Sequence, residues 1–384
     1  MLINEIPDDC LLAIFDYLNN LGDLINCYKV CVKWSYLIVK RTKKVKYLTY
    51  QRSDSSDVVY YRGLCSIDST CLPKLFTNLI IADLSSKLNL KDEDYLLPDA
   101  IEFVRKQASL KGLINPFRQP IEKYRYCDQL EMLSVINFNP NNLRNCSSIK
   151  QLNVRNYTLE ALTRDAHYLP NLENLKIKII VPDNHYDGPV LEKLKILELY
   201  SIKLQRKRFF YGFQLMDSCP NLQSAHITMN SHSWFFDETL KHNSLQDLVI
   251  KFVSIYGFGN AHWNNLKRLL PKYPNLKHLA LRYYSNIKDE HIEELVHILP
   301  NLVLLDVIEC KGVTQRAADY IKDYCKRCGR SIKFYFKGNQ HEIKPYRFGL
   351  SKKRENISRG FDFMKHCFRK DYGYLPHFLI PIDY

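Results

Sequence analysis

Apolar residues at helical spacing open the chain. Leu11, Leu12, Ile14, Phe15 and Leu18 form a stripe wider than a lone surface helix needs. Pro7 fits the first turn of that helix, where a missing N–H costs nothing, and Asp8 and Asp9 place negative charge where the helix dipole favours it. Asn19, Asn20 and Gly22 break the pattern. Asp23 can then cap a second helix whose apolar positions are Leu24, Cys27, Val30, Cys31, Trp34 and Leu37. So wide a stripe on so few residues points to a partner, because a small module buries little of its own surface.

From Val45 the period changes to alternation. A Leu-x-x-Leu-x-Leu pattern, with conservative swaps, recurs at Leu79–Leu84, Leu130–Val135, Ile149–Val154, Leu172–Ile177 and Leu194–Leu199. It continues at Leu222–Ile227, Leu245–Ile250, Leu276–Leu281 and Leu302–Val307, with a weaker copy from Leu110 and a last strand at Ile332–Phe336. Pro-Asn-Leu opens four copies, at Pro170, Pro220, Pro274 and Pro300. The repeat of roughly 20–30 residues predicts short strands with one buried face and helices outside, as over 289–299 and 314–325. Neither element buries its apolar face alone, so the repeats must stack. Residues 50–75 and 85–128 fit the pattern poorly.

Composition narrows the class. With 46% hydrophobic and 25% charged residues the chain is that of a folded protein, and no apolar run reaches the length of a membrane span. The N-terminus lacks a basic segment followed by an apolar core, so a cytoplasmic or nuclear location is expected, with the twelve cysteines reduced. The net charge of +14 is spread along the chain, densest at Lys40–Lys46, Arg206–Arg208 and the last fifty residues. No zinc-finger, homeodomain or RRM signature accompanies it. The charge is a field that favours acidic partners over nucleic acid.

The order Ile-Pro-Asp-Asp-x-Leu-Leu-x-Ile-Phe-x-Tyr-Leu, followed by Asp-Leu-x-x-Cys-x-x-Val-Cys-x-x-Trp, resembles an F-box running from Ile6 to Trp34. The later repeats resemble a leucine-rich-repeat horseshoe over about residues 45–336. The nearest type is the irregular, cysteine-containing one that often follows an F-box; Glu309-Cys310-Lys311-Gly312-Val313-Thr314 resembles its strand-to-helix turn. The resemblance implies an α/β architecture: a helical F-box module at 1–42, a solenoid of about 10–12 repeats at 43–337, and a basic, aromatic tail or cap at 338–384. It also implies a partner, the Skp adaptor, and through it the cullin–RING subunits of an SCF-type ubiquitin ligase. By motif position the adaptor-binding residues are Ile6, Pro7, Leu11, Leu12, Ile14 and Phe15, then Leu18, Leu24, Val30, Cys31 and Trp34.

No enzyme constellation stands out. GxSxG, GxxxxGK[ST] and HExxH are absent, Gly257–Ala261 lacks the third glycine of a dinucleotide loop, and the histidines are scattered. Cys325-x-x-Cys328 has no second pair at ligand spacing, so neither a metal nor a cofactor is expected. Cys127, Cys146 and Cys219 precede their repeats at one fixed offset, as small buried residues. The expected function is therefore non-catalytic: a substrate receptor whose repeats hold a target for ubiquitination. The alternative is a repeat scaffold that binds protein or nucleic acid without ubiquitin transfer.

Strand residues that alternate with the buried leucines supply a candidate substrate surface: Arg155, Lys176, Lys178 and Tyr200, then His226, Lys251, His278 and Arg282. An acidic or phosphorylated segment of the target protein would suit them. The tail has two possible places: over the last repeat as a cap, or folded back along the concave face.

Overall fold

The computed structural model describes residues 5–61, 71–85, 98, 101–118, 120, 129–179, 185–201, 209–231, 233–253, 263–342 and 355–384. The chain divides into two compact units, Met1–Ile149 and Lys150–Tyr384.

The first unit begins with three helices, α1 (Asp8–Phe15), α2 (Leu21–Tyr28) and α3 (Val32–Thr42). Pro7 stands just ahead of α1 as its cap rather than inside the first turn, and its carbonyl accepts from the Leu11 N–H at 3.1 Å. The second helix is capped by Asn20, not Asp23. The Asn20 side chain accepts from the N–H groups of Gly22 (2.9 Å) and Asp23 (3.3 Å), and its extended backbone (φ −84°, ψ 129°) leaves Asp23 already inside the helix. The apolar run from Leu24 to Leu37 is also two helices rather than one. It breaks after Tyr28 and restarts behind Cys31, whose extended backbone (φ −162°, ψ 169°) cannot continue a helix.

Five parallel strands follow: β1 (Tyr47–Thr49), β2 (Val58–Tyr60), β3 (Ile81–Asp83), β4 (Gly112–Ile114) and β5 (Met132–Val135). Their order is β2-β1-β3-β4-β5, so β2 lies outside β1, and β3 returns to the other side of it. The poorly fitting segment 50–75 thus holds a strand that sequence repetition does not reveal. Val58 and Val59 are buried there without the leucine pattern.

The second unit stacks eight parallel strands in chain order: β6 (Gln151–Val154), β7 (Asn174–Ile179), β8 (Ile196–Ser201), β9 (Ser224–Met229), β10 (Asp247–Phe252), β11 (His278–Arg282), β12 (Leu304–Asp306) and β13 (Lys333–Tyr335). Register aligns Leu152, Leu175, Leu197, Ala225, Leu248, Leu279 and Leu305 as one buried row. This is leucine-rich-repeat architecture, each strand pairing with its sequence neighbour. The Pro-Asn-Leu turns have a physical role beyond entry into the strand. The amides of Asn221, Asn275 and Asn301 donate to carbonyls of the preceding repeat, at Glu192 (2.8 Å), Asn243 (2.9 Å) and Pro274 (3.0 Å).

Helices form where expected, at Asp289–Ile298 and Gln315–Cys328; Thr314 caps the second, and Gly329 ends it with a left-handed φ of 63°. The turn before it is stitched to the previous repeat. Cys310 is buried with its thiol directed at the Leu281 carbonyl (3.2 Å), and Asp289 accepts from both the N–H (2.7 Å) and the hydroxyl (2.6 Å) of Thr314. A Cβ on Gly312 would meet the Ile287 carbonyl oxygen at 2.2 Å. Gly312→Ala is therefore expected to lower the stability of this unit by about 1–3 kcal/mol, read as a reduced denaturation midpoint. Cys146 and Cys219 are buried, whereas Cys127 and Arg206–Arg208 lie outside the described residues.

The tail is folded. Strands β14 (Ile357–Arg359) and β15 (Phe378–Ile380) pair in parallel, and Asp362 caps a short helix, Phe363–His366, by accepting from the Lys365 N–H (2.9 Å). The tail lies along the polar strand face. Its Phe363, Cys367, Phe368, Tyr372, Leu375 and Leu379 share one buried cluster with Ile196, Val249, Ala280 and Leu304 of β8, β10, β11 and β12. It also reaches the last repeat, where the Arg369 guanidinium sits 5.1 Å from the centre of the Tyr335 ring.

Candidate functional site

Two surfaces carry the residues singled out above. In the first unit, α1 and α3 meet where the Phe15 and Trp34 rings pack edge to face with centres 5.1 Å apart. Lys33 ties the two helix starts together, donating to the Ile6 carbonyl (3.0 Å) and pairing with Asp8 (3.2 Å). Arg41, which the sequence presents as part of a basic run, is buried. It donates to the carbonyls of Phe15 (3.3 Å) and Ser56 (2.9 Å) and to the Asn19 amide oxygen (2.7 Å).

In the second unit the tail covers the strand face, and it is held largely through its own carbonyl groups. Lys176 donates to the carbonyls of Leu375 (2.9 Å) and Pro376 (3.3 Å); Arg282 donates to those of Phe368 (2.6 Å) and Lys370 (3.2 Å). His226 Nε2 lies 3.0 Å from the Lys370 carbonyl, and Lys251 pairs with Asp371 at 2.6 Å. Gln151 grips Leu379 with both ends of its amide: its oxygen accepts from the Leu379 N–H (2.9 Å), and its NH₂ donates to the Leu379 carbonyl. His278 faces its neighbour Asp247 (2.6 Å) and presents its ring edge to Phe368. Four predicted substrate residues therefore hold the protein's own tail. Arg155, Lys178 and Tyr200 remain around a cleft beside it.

Burial sets the protonation states beneath the tail. It pushes the His226 imidazole down to about 3, helped by the nearby positive charge of Arg282. The ring is therefore neutral and donates through Nε2. Burial pushes the Glu198 carboxyl up, against the opposing pull of Lys176, whose ammonium is 3.8 Å away, and of the Cys367 thiol. Cys367 is raised far above an ordinary thiol by the same burial and by Glu198. The unfolded chain binds a proton at histidine near pH 6.5 and the folded chain only near 3, so this group contributes stability above 6.5 that is lost as the pH falls towards 3. Glu198 acts in the opposite sense, so a paired comparison isolates the histidine. Urea midpoints measured from pH 7 to 4 are expected to fall less steeply in His226→Gln than in the wild type, since glutamine keeps a donor for Lys370.

Residues 3–42 match the family model described as F-box-like. The chain carries an F-box-like domain. A solved structure, the complex of Rad7 and Elc1 in yeast, is similar at a TM-score of 0.38 and 13% identity, covering 82% of this chain and 87% of that one. No curated protein matches the chain. Among the described residues no helix is long and apolar enough to cross a membrane.

Exposure separates the roles that the F-box-like motif leaves mixed. Leu11, Phe15 and Leu24 are buried and form the domain's own core. Ile6, Leu12, Leu18, Cys31 and Trp34 are half-buried, while Pro7, Ile14 and Val30 are exposed. Three exposed apolar side chains were not among the expected adaptor-binding residues: Tyr17 (87% exposed), which the motif itself includes, Val32 (88%) and Tyr36 (66%). Spacing could have found them, because Ile14 and Tyr17 lie one turn apart at the end of α1, and Val32 and Tyr36 share one face of α3. On the strand face the missed signal was apolarity in the outward row. Val249 and Ala280 stand in register with His226, where a solvated surface would carry polar groups.

Proposed function

We propose that this chain is the substrate-recognition subunit of an SCF-type ubiquitin ligase. Its F-box-like domain docks the Skp adaptor, its repeat unit holds a target protein, and a conjugating enzyme carried by other subunits supplies the chemistry. The chain then contributes proximity rather than catalysis, acting in the cytoplasm or nucleus.

One observation carries this reading: Ile14, Tyr17, Val30, Val32 and Tyr36 stand exposed on a small helical domain whose own core is complete without them. Exposed apolar side chains grouped in this way mark interaction sites. Capture of purified Skp adaptor by the full chain tests it. The double variant Tyr17→Glu and Val32→Glu is expected to weaken capture at least thirtyfold while leaving the melting temperature within about 2 °C, since both side chains are already in water. A folded wild-type chain that fails to capture the adaptor would refute the proposal.

A further inference from the structure

The chain's own tail occupies the strand face, and the manner of its docking defines what that face can hold. The polar grip runs to main-chain groups. Arg282 on β11 donates to the Phe368 and Lys370 carbonyls, His226 on β9 reaches the Lys370 carbonyl, and Lys176 on β7 donates to those of Leu375 and Pro376. Gln151 on β6 holds both the N–H and the carbonyl of Leu379. Every polypeptide carries such groups, so these four side chains read a backbone path rather than a sequence. Side-chain identity enters through apolar anchors. Phe368, Tyr372, Leu375 and Leu379, spaced four, three and four residues apart, are buried against Ile196, Val249, Ala280 and Leu304 of the face.

An apolar floor crossed by donors for main-chain carbonyls is the make-up of a peptide-binding groove: backbone hydrogen bonds supply affinity, and the anchor positions supply specificity. The donors also prevent carbonyls from being buried without partners, which is the main penalty for laying an irregular segment on an apolar surface. Charge contributes less. A carboxylate brought to Lys176 meets Glu198, whose carboxyl is 3.8 Å from that ammonium, whereas a carbonyl needs no counter-charge.

We infer that the tail is an intramolecular ligand of this groove, and that an apolar segment of a target protein binds there by displacing it. The inference rests on the receptor reading above and adds autoinhibition to it: the face stays closed until a segment with a similar set of anchors takes the tail's place. Because it is attached, the tail competes at an effective concentration of roughly millimolar without needing a tight fit. A segment that fills the anchor positions better replaces it by mass action.

Cys367 reports the tail's position, because its thiol is fully buried in the cluster that the docked tail forms with the face. The full chain, without adaptor, is treated with N-ethylmaleimide, and modification of Cys367 is followed by peptide mass spectrometry. The probe is a synthetic peptide of residues 363–380 carrying Cys367→Ser. At near-millimolar concentration it is expected to raise the labelling rate of Cys367 about tenfold, while a scrambled peptide and an oligoglutamate of the same length leave the rate unchanged. Fluorescence anisotropy gives a second measurement. The labelled peptide is expected to bind the Leu375→Ala chain about tenfold more tightly than wild type, since the attached competitor has lost an anchor, and a Phe368→Ala peptide about tenfold more weakly. Should Leu375→Ala not fold, the wild-type labelling decides alone. Unchanged protection of Cys367 at millimolar peptide, or equal displacement by the scrambled peptide or by oligoglutamate, would overturn the inference. Adaptor capture is read on the other unit, so either result stands when the other fails.

Discussion

Arg282→Ala is expected to cost about 3–5 kcal/mol and to release the tail from the strand face. The Arg282 guanidinium is almost fully buried, donates to the carbonyls of Phe368 and Lys370, and lies 4.0 Å from the Asp371 carboxylate. Alanine leaves the Phe368 carbonyl without that donor beneath the tail, at about 1–3 kcal/mol, leaves the Lys370 carbonyl to His226 Nε2, and opens a cavity beside Phe368, which is itself fully buried. Two measurements read the result. Urea denaturation gives the loss of stability, and the labelling rate of Cys367 reports detachment, because this thiol is inaccessible while the tail is docked. Arg282→Lys should fall between the two, keeping the charge but losing the fork. A variant within about 1 kcal/mol of wild type, with Cys367 still protected, would show that apolar packing alone holds the tail.

Arg41→Ala is expected to do comparable damage in the first unit, about 3 kcal/mol or more. Its guanidinium collects the Phe15 carbonyl at the end of α1, the Asn19 amide oxygen just before α2, and the Ser56 carbonyl ahead of β2. These acceptors come from three separate segments, so no neighbouring side chain replaces it. The charge also suits the C-terminal end of α1, where the helix dipole is negative. Thermal melting and adaptor capture, measured together, distinguish this variant from the surface ones. Arg41→Ala should lose capture because the domain melts, whereas Tyr17→Glu and Val32→Glu should lose capture without melting.

These two arginines show why the net charge of +14 was hard to interpret. Read along the chain it is a field awaiting an acidic partner. In the structure part of it is consumed internally. Arg330 adds a third case, donating to the carbonyls of Val296 (2.9 Å), Leu299 (3.0 Å) and Leu302 (3.1 Å) at the end of a helix and the start of the next strand. Lysine 176 adds a fourth. A cation that binds carbonyls has the same sequence signature as one that faces water.

Much of the fold was legible for a simple reason. Alternation between buried and exposed positions is a local property, so β6 to β13 fall on the strand patterns read from the leucines. The helices at Asp289–Ile298 and Gln315–Cys328 were legible for the same reason, carrying an apolar stripe and, in the second, a capping threonine. Two features were misread locally. The cap of α2 moved to Asn20, because asparagine and aspartate compete as caps and only backbone geometry chooses between them. The break between α2 and α3 was hidden because Val30 and Cys31 keep the apolar spacing across it.

By itself the sequence determined the F-box-like domain, the parallel repeats and the rows of side chains on each strand. Those depend on residue types a few positions apart. Only the tertiary structure decided what covers the strand face and which apolar residues of the F-box-like domain remain exposed. The contacts that settle it join distant parts of the chain: Arg282 reaches 86 and 88 residues, Lys176 about 200, and Gln151 228. No periodicity spans such distances. The partner of a buried cation is fixed by where the packed chain brings a carbonyl, and packing is a property of the whole unit.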